Sequence, residues 1–331
     1  MIYEGPKIIE LGESEALARA LGVFKSVEST LVPSGDDAAV VGLLDPRVVI
    51  TTDTMVQNHD FDLGWSSAFE LGYKAVTTNL ADLVAMGATP RGLTVALVVT
   101  KDTRQSWLEE FAKGLQAGCD NHASQCEIVG GDLASGDQLV IAVTAIGDLD
   151  QPNPVLRSTA QVGDLVVVAG TLGKAACGLD LLRSADKTLA DSYPEYVEIQ
   201  KRPIPDLVLG MELSRIATSM MDISDGLSLD SARLARKSNV TLRLERRLLE
   251  GYAAVLEQAA QSINSRVEGS ANQWDWVLHG GEDHSFLATV PPGAKLPRGA
   301  KVIGRVDHRA ENDIYLDDQP LAAAGWDSVT G

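Results

Sequence analysis

Phe69-Glu70-Leu71-Gly72-Tyr73-Lys74-Ala75-Val76-Thr77-Thr78-Asn79-Leu80-Ala81-Asp82-Leu83 decides how the first half of this chain folds. Phe69, Tyr73, Val76, Leu80 and Leu83 recur at helical spacing, so the stretch is one long helix with an apolar stripe against a core. Asn79 and Asp82 lie three apart beside that stripe, and their side chains are expected to project together. On either side the pattern changes. Leu93 to Val99 and Gln138 to Ile146 read as strands, Gln105 to Asn121 as a helix. Upstream come a helix at Glu13 to Leu21, a turn at Gly35-Asp36-Asp37 and a strand through Val48-Val49-Ile50. This half is α+β.

Gln151-Pro152-Asn153-Pro154 is the best linker candidate, because its two prolines remove donors and bias their neighbours towards extended conformations. Beyond it, Asp164 to Ala169 is strand-like, and Ala175 to Leu182, Pro205 to Ile216 and Leu227 to Lys237 are helical. Ser285 to Val290, Lys301 to Ile303 and Ile314 to Leu316 read as short strands. The expectation is a two-domain α/β (α+β) protein, residues 1–150 and 151–331.

A chain of 331 residues, 45% hydrophobic, is long enough for two real cores. Its formal net charge of −18 argues against nucleic acid or an anionic membrane as a partner, since both require a basic surface. An anionic substrate then has to be captured locally, by Mg²⁺, by Arg or Lys, and by backbone dipoles. Cys119, Cys126 and Cys177 are odd in number and lack metal-ligand spacing, which argues against a disulfide framework or a zinc site. Met1 to Lys7 lacks a basic stretch followed by an apolar core, and no apolar run approaches the ~18 residues that span a bilayer, so a cytoplasmic location is expected.

Carboxylates recur beside glycines: Asp36 and Asp37 after Gly35, Asp132 after Gly130-Gly131, and Asp222 and Asp225 before Gly226; Asp53 sits in Thr51-Thr52-Asp53-Thr54, and Asp82 on the long helix. Carboxylate oxygens are hard ligands for Mg²⁺, and glycines let backbone N–H groups approach phosphate oxygens, so the pattern suggests a metal-bridged polyphosphate site and an ATP-using enzyme. Any one such Asp is more often a turn former or a cap, and Asp225 before Gly226-Leu227 would serve as an N-cap. The joint pattern and its order carry the inference.

Other motifs fail. Gly170-Thr171-Leu172-Gly173-Lys174-Ala175 has two residues between its glycines where a P-loop has four, and Ala where Ser or Thr should follow Lys. It either presents N–H groups to an anion or is a tight turn packing helix on strand. His279, Glu282, Asp283 and His284 lack the i, i+4 spacing of helical zinc sites. There is no GxSxG elbow.

Gly35-Asp36-Asp37-Ala38-Ala39-Val40, Thr51-Thr52-Asp53-Thr54, Asn79-Leu80-Ala81-Asp82-Leu83, Met86-Gly87-Ala88-Thr89-Pro90 and Gly130-Gly131-Asp132, taken in order, resemble the thiamine-monophosphate kinase family. Arg157-Ser158, Val162-Gly163-Asp164, Met221-Asp222-Ile223-Ser224-Asp225-Gly226-Leu227, Gly280-Gly281-Glu282-Asp283-His284 and Gly325-Trp326 continue the match over nearly the whole chain. The resemblance implies the fold of aminoimidazole ribonucleotide synthetase, in which an N-terminal α/β domain dimerises through a shared β-barrel and a C-terminal α/β domain covers the ATP cleft. It implies a homodimer, and transfer of phosphoryl from ATP to thiamine monophosphate by direct in-line attack. Position by position, Asp37, Thr51, Thr52, Asp53, Asp82, Asp132, Asp222 and Asp225 match metal-site positions for several Mg²⁺ ions. Asp53, Asp132 and Asp225 are the expected catalytic set, and Gly131, Asp132, Arg157 and Ser224 match ATP contacts. Glu282 and Trp326 match substrate contacts; Trp326 would stack on a flat cationic ring and Glu282 offset its charge. The bland readings are that Trp326 caps the C-terminal core and Arg157 is a surface charge near the linker.

The sequence departs from the family at one contact. Where the family carries a His-Phe pair that contacts substrate, Gln57-Asn58-His59-Asp60-Phe61 puts Asp60 at the His position and His59 one residue early. Both enter the expected substrate site. Two other readings stay open on sequence grounds: a ligase-type enzyme of the same superfamily, and a non-catalytic sensor of thiamine phosphate or ATP.

Overall fold

The computed structural model describes residues 3–33, 38–266 and 271–326, and by internal contacts it divides into two units: residues 1–83 with 88–152, and residues 84–87 with 153–331. In chain order the first holds α1 (Ile8–Leu11), α2 (Glu13–Leu21), β1 (Thr30–Val32), β2 (Val40–Val41), β3 (Val48–Val56), α3 (Ala68–Ala85), β4 (Ala88–Val99), α4 (Gln105–His122), β5 (Glu127–Ser135) and β6 (Val140–Leu149), the end of α3 being counted with the second unit. Four strands form one sheet in the order β3-β6-β4-β5, with β4 and β5 parallel and the other neighbours antiparallel. No closed barrel is present among the described residues.

The apolar stripe of α3 does what its period requires: Tyr73, Val76, Leu80 and Leu83 are buried. Helices α3 and α4 approach closely at glycines. A methyl group on Gly72 would lie 2.2 Å from the Phe111 carbonyl oxygen, and one on Gly114 would lie 2.0 Å from that of Phe69. The covered face of the sheet carries Ile141, Val143, Ala145, Leu93, Val95 and Leu97, all buried. Its other face is open: Ile50, Thr52, Thr54, Thr94, Ala96, Asp132 and Ala134 are exposed, and Val140, Ala142, Thr144 and Ile146 half-exposed.

The second unit holds β7 (Leu165–Ala169), α5 (Lys174–Arg183), α6 (Lys187–Asp191), α7 (Pro194–Lys201), α8 (Leu207–Ser214), β8 (Ser219–Ile223), α9 (Leu227–Ser238), β9 (Val240–Leu244), α10 (Arg246–Ala254), α11 (Glu257–Arg266), α12 (Gln273–His279), β10 (Ser285–Val290), β11 (Ala300–His308), β12 (Ile314–Leu316) and β13 (Gln319–Pro320). Its seven strands run β13-β12-β9-β11-β7-β10-β8, antiparallel except for the parallel pair β9 and β12. Strands β7, β8 and β10 are buried almost throughout, as strands covered on both faces must be. Lys301 to Ile303, expected as a short strand, is the start of nine residues in β11, because that strand sits inside the sheet between β7 and β9. Among the described residues no helix is long and apolar enough to cross a membrane.

Candidate functional site

In the second unit the singled-out residues converge on one turn. Strand β8 ends at Ile223, α9 begins at Leu227, and Ser224-Asp225-Gly226 joins them. Two other segments hang from its backbone. The Glu282 N–H donates to the Ser224 carbonyl oxygen at 2.8 Å, and the Trp326 N–H donates to that of Asp225 at 3.0 Å. Glu282 takes a left-handed backbone, φ 66°, and its Oε2 accepts from the Gln200 side-chain amide at 2.5 Å. Buried Asp222, on β8, has a cationic or titratable neighbour for each oxygen: Arg157 at 4.0 Å from Oδ1 and the His284 ring at 3.6 Å from Oδ2. Arg157 therefore stands beside a buried carboxylate and is more than a stray surface charge.

Asp225 does not cap α9. The N-cap residue is Gly226, and the Asp225 carboxylate is held instead by Arg233, which also donates to Asp230 at 2.8 Å. Asp230 is fully buried and accepts the Asp225 N–H at 3.0 Å. Burial, then the negative charge of Asp222, push the Asp230 carboxyl up to about 6.

The glycine turn at 170–173 does cradle a carboxyl group, and that group belongs to the chain. Asp283 accepts from the Thr171 hydroxyl at 2.6 Å and from the Ala175 N–H at 3.3 Å, with the N–H groups of Gly173 and Lys174 also donating to it. Its burial raises the carboxyl above its ordinary range despite these donors. Phosphate is thus not the ligand of this turn. His279 pairs with the Ser228 hydroxyl at 2.8 Å, so His279, Glu282, Asp283 and His284 each serve a different neighbour.

The first unit is arranged otherwise. The Thr51 hydroxyl donates to Asp82 at 2.7 Å, joining β3 to α3. Asn79 does not join them; its amide turns back to the Ala75 carbonyl oxygen, 2.9 Å away, inside the core. The Thr52 hydroxyl donates to the Val143 carbonyl oxygen at 2.8 Å. Asp53 aligns with Val143, Val95 and Gly131, the row of the covered face, whereas Asp132 aligns with Ala96, Ala142 and Thr54 on the open face. Both aspartates are exposed and mid-strand. The Gly130-Gly131 pair before Asp132 makes no corner; β5 runs through it because Gly131 serves close strand packing, a methyl there falling 2.2 Å from the Val95 carbonyl oxygen. Strands β3 and β5 are opposite edges, so Asp53 and Asp132 stand three strand spacings apart, roughly 14 Å. Asp37 lies outside the described residues.

After β3 the chain turns sharply at Asn58, φ 64°. Asp60 closes that turn, accepting the Val56 N–H at 2.7 Å and lying 3.0 Å from the His59 ring.

Comparison with known proteins decides the kinship. Residues 35–149 match the family model of AIR synthase related protein, N-terminal domain. The thiamine-monophosphate kinase of Mycobacterium tuberculosis is 34% identical over 330 residues, 98% of this chain and 94% of that protein. The chain belongs to the thiamine-monophosphate kinase family. Two solved structures of the family agree along their length: the kinase from Stenotrophomonas maltophilia, 29% identical, TM-score 0.75, covering 93% of this chain and 96% of that one, and AaThiL complexed with AMPPCP and TMP, 25% identical, TM-score 0.73, covering 98% and 99%.

Family motifs thus map onto two different constructions, a turn in one unit and a sheet rim in the other. Residues that sequence reasoning passed over are Gln200, Asp230 and Arg233. Asp230 and Arg233 looked like ordinary charges on an amphipathic helix, and Gln200 lies 82 positions from the Glu282 it holds; neither spacing carries a signal.

The donors fit Mg²⁺. They are carboxylate and hydroxyl oxygens, and among the described residues no three His, Cys, Asp or Glu gather as a cage. Magnesium is ordinarily held by one or two carboxylates plus phosphate oxygens and water.

Proposed function

We infer that the protein transfers the γ-phosphoryl group of ATP to thiamine monophosphate, giving ADP and thiamine diphosphate. The observation that carries this reading is kinship over 98% of the chain with a thiamine-monophosphate kinase, and it is supported by the motif residues gathered at the Ser224-Asp225-Gly226 turn. A phosphate oxygen of thiamine monophosphate forms the new bond to the γ-phosphorus as the bond from that phosphorus to the β-bridging oxygen breaks. The acceptor is already an anion, so no strong general base is needed; the work is positioning and charge neutralisation.

Magnesium, when bound with the nucleotide, would supply neutralisation of the phosphate oxygens. Asp53, Asp132 and Asp225 form the proposed catalytic set, and Thr51, Thr52, Asp82 and Asp222 join them in holding the ions. Arg157 and Ser224, with Gly131, serve ATP. Glu282 and Trp326 serve the thiamine moiety, both fixed to the turn by their own backbone N–H groups. At the turn after β3, Asp60 is engaged within the loop, which leaves His59 as the proposed substrate contact.

A homodimer through the open face of the first unit is part of this reading. That face is mostly uncharged, with Ile50 64% exposed, and two copies joined at their edges would bring β5 of one beside β3 of the other. A cytoplasmic location fits three buried free thiols.

The test is direct. Purified protein with ATP, Mg²⁺ and thiamine monophosphate is expected to form thiamine diphosphate, and the same mixture with thiamine in place of the monophosphate is not. No product from the monophosphate overturns the reading.

A further inference from the structure

We propose that Arg233 is an internal countercation for Asp225, a positioning residue that holds this carboxylate when no divalent ion is bound and yields it when one arrives. The inference rests on the reading of Asp225 as a metal-binding residue. Its geometry is specific. One guanidinium nitrogen of Arg233, Nη1, reaches both Asp225 and Asp230, so a single donor group is shared between the carboxylate of the turn and a fully buried carboxylate one turn along α9. Asp230 in turn accepts the Asp225 backbone N–H. Side chain and backbone of Asp225 are thereby tied to α9 at two points.

Without Arg233 the Asp225 carboxylate would stand beside Asp230, a fully buried carboxylate that already holds the Asp225 N–H, with no cation shared between them. That arrangement is repulsive unless a cation sits among them. Arg157 lies near Asp222, not Asp225, so Arg233 is the cation the structure gives to Asp225. A divalent ion supplies the same service with more charge. Arg233 can then fall back on Asp230 without leaving either partner buried and alone. The side chain is partly exposed, 38%, which leaves it room to move.

The experiment is a Mg²⁺ titration, followed by thermal unfolding and calorimetry, at a fixed concentration of a non-hydrolysable ATP analogue. Arg233→Gln is expected to lower Tm without Mg²⁺ by several degrees, to recover most of that loss when Mg²⁺ is added, and to reach half-saturation at about three- to tenfold lower Mg²⁺, since a competing unit charge has gone. Asp230→Asn keeps an acceptor for the Asp225 N–H but leaves Arg233 to Asp225 alone, so half-saturation should move about threefold or more the other way. A purely structural role would lower Tm equally with and without Mg²⁺ and leave half-saturation unchanged in both variants; that result overturns the proposal. Arg236→Gln, on the same helix but paired with Asp313, controls for loss of charge alone, and an equal shift there would also overturn it. Should Arg233→Gln fail to fold, Asp230→Asn decides. Asp225→Asn separates the two readings: if it responds to Mg²⁺ as the native protein does, the metal assignment itself falls, whereas a lost response in Asp225→Asn with unmoved Arg233→Gln and Asp230→Asn sinks only the countercation.

Discussion

The β8–α9 turn and the β3 and β5 rims carry the same residue type by opposite construction. At the turn, Asp222 and Asp225 are engaged with Arg157, His284 and Arg233, and the turn's own carbonyl oxygens anchor Glu282 and Trp326. On the sheet, Asp53 and Asp132 are exposed, on opposite faces and opposite edges. The turn is built in advance, with Asp222 and Asp225 each given a cationic or titratable neighbour. The rim aspartates lie at the surface of the sheet. Substitutions in the two regions should therefore separate activity from stability in different ways.

The largest effects are expected from Asn at the four aspartates. Each substitution removes one charge while keeping the shape, and each should lower kcat on the order of 10²-fold or more. Asp53→Asn and Asp132→Asn should leave Tm almost unmoved, because exposed positions rarely change stability by more than about 0.5 kcal/mol. Asp222→Asn should lower Tm as well, since it leaves His284 and Arg157 beside a neutral group in a buried place. Unfolding curves set beside steady-state rates check the contrast. Equal Tm losses in both regions would break it.

Next in size is a mixing experiment. If Asp53 of one copy works with Asp132 of another, Asp53→Asn and Asp132→Asn chains refolded together should recover about a quarter of native activity, because half of the dimers are mixed and each of those has one intact site. Light scattering on the same samples reads the oligomeric state. No recovery in a confirmed dimer would assign the two aspartates to separate sites.

Asp283 offers a test of the built-in side. Asp283→Ala would strand the Thr171 hydroxyl and several N–H groups of the 170–175 turn at a cost of about 2–4 kcal/mol, seen as a fall in Tm. The sign with pH also follows. Because the folded-state carboxyl is raised above its unfolded value, the native state keeps a proton that the unfolded chain has lost, so this residue's contribution to stability declines as pH rises above the ordinary carboxylate range. Asp283→Asn should flatten that part of the stability profile; an unchanged profile would show that other groups set it.

These contrasts mark what a sequence can carry. The α3 stripe was legible because its large apolar side chains recur at helical spacing, although Lys74, Thr77 and Asn79 between them are buried too, and the strand at 285–290 because it is a short, largely apolar run. Strand β5 was hidden by the Gly130-Gly131 pair, which looks like a corner, whereas Gly131 permits close strand packing. Strand β8 was hidden by Asp222 within it. Asp225 invited reading as an N-cap, since its position beside Gly226 is local information; its tie to Arg233 is set by how α9 leaves the turn, which is not. The candidate residues were named from order and type, but their division between a prebuilt turn and an open rim is a matter of register and strand order.

The smallest effect concerns the turn after β3, which resembles the β8–α9 turn in being prebuilt. Its Asn58 takes the left-handed backbone that re-aims the following residue, as Asn does more readily than most side chains. Asp60 spends one oxygen on the Val56 N–H and keeps the other by the His59 ring, 3.0 Å away. A carboxylate turned inward in this way is directed at its own loop and not at an incoming phosphate, and the His59 ring stands beside it. His59→Ala should then raise KM for thiamine monophosphate about three- to tenfold, the scale of one contact to an anion worth roughly 1 kcal/mol, with little change in kcat. Asp60→Asn should change KM less than twofold, roughly the effect of loosening an exposed turn. The reverse order, with Asp60→Asn weakening substrate and shifting the Mg²⁺ dependence while His59→Ala is silent, would mean that Asp60 leaves the turn to bridge a metal ion.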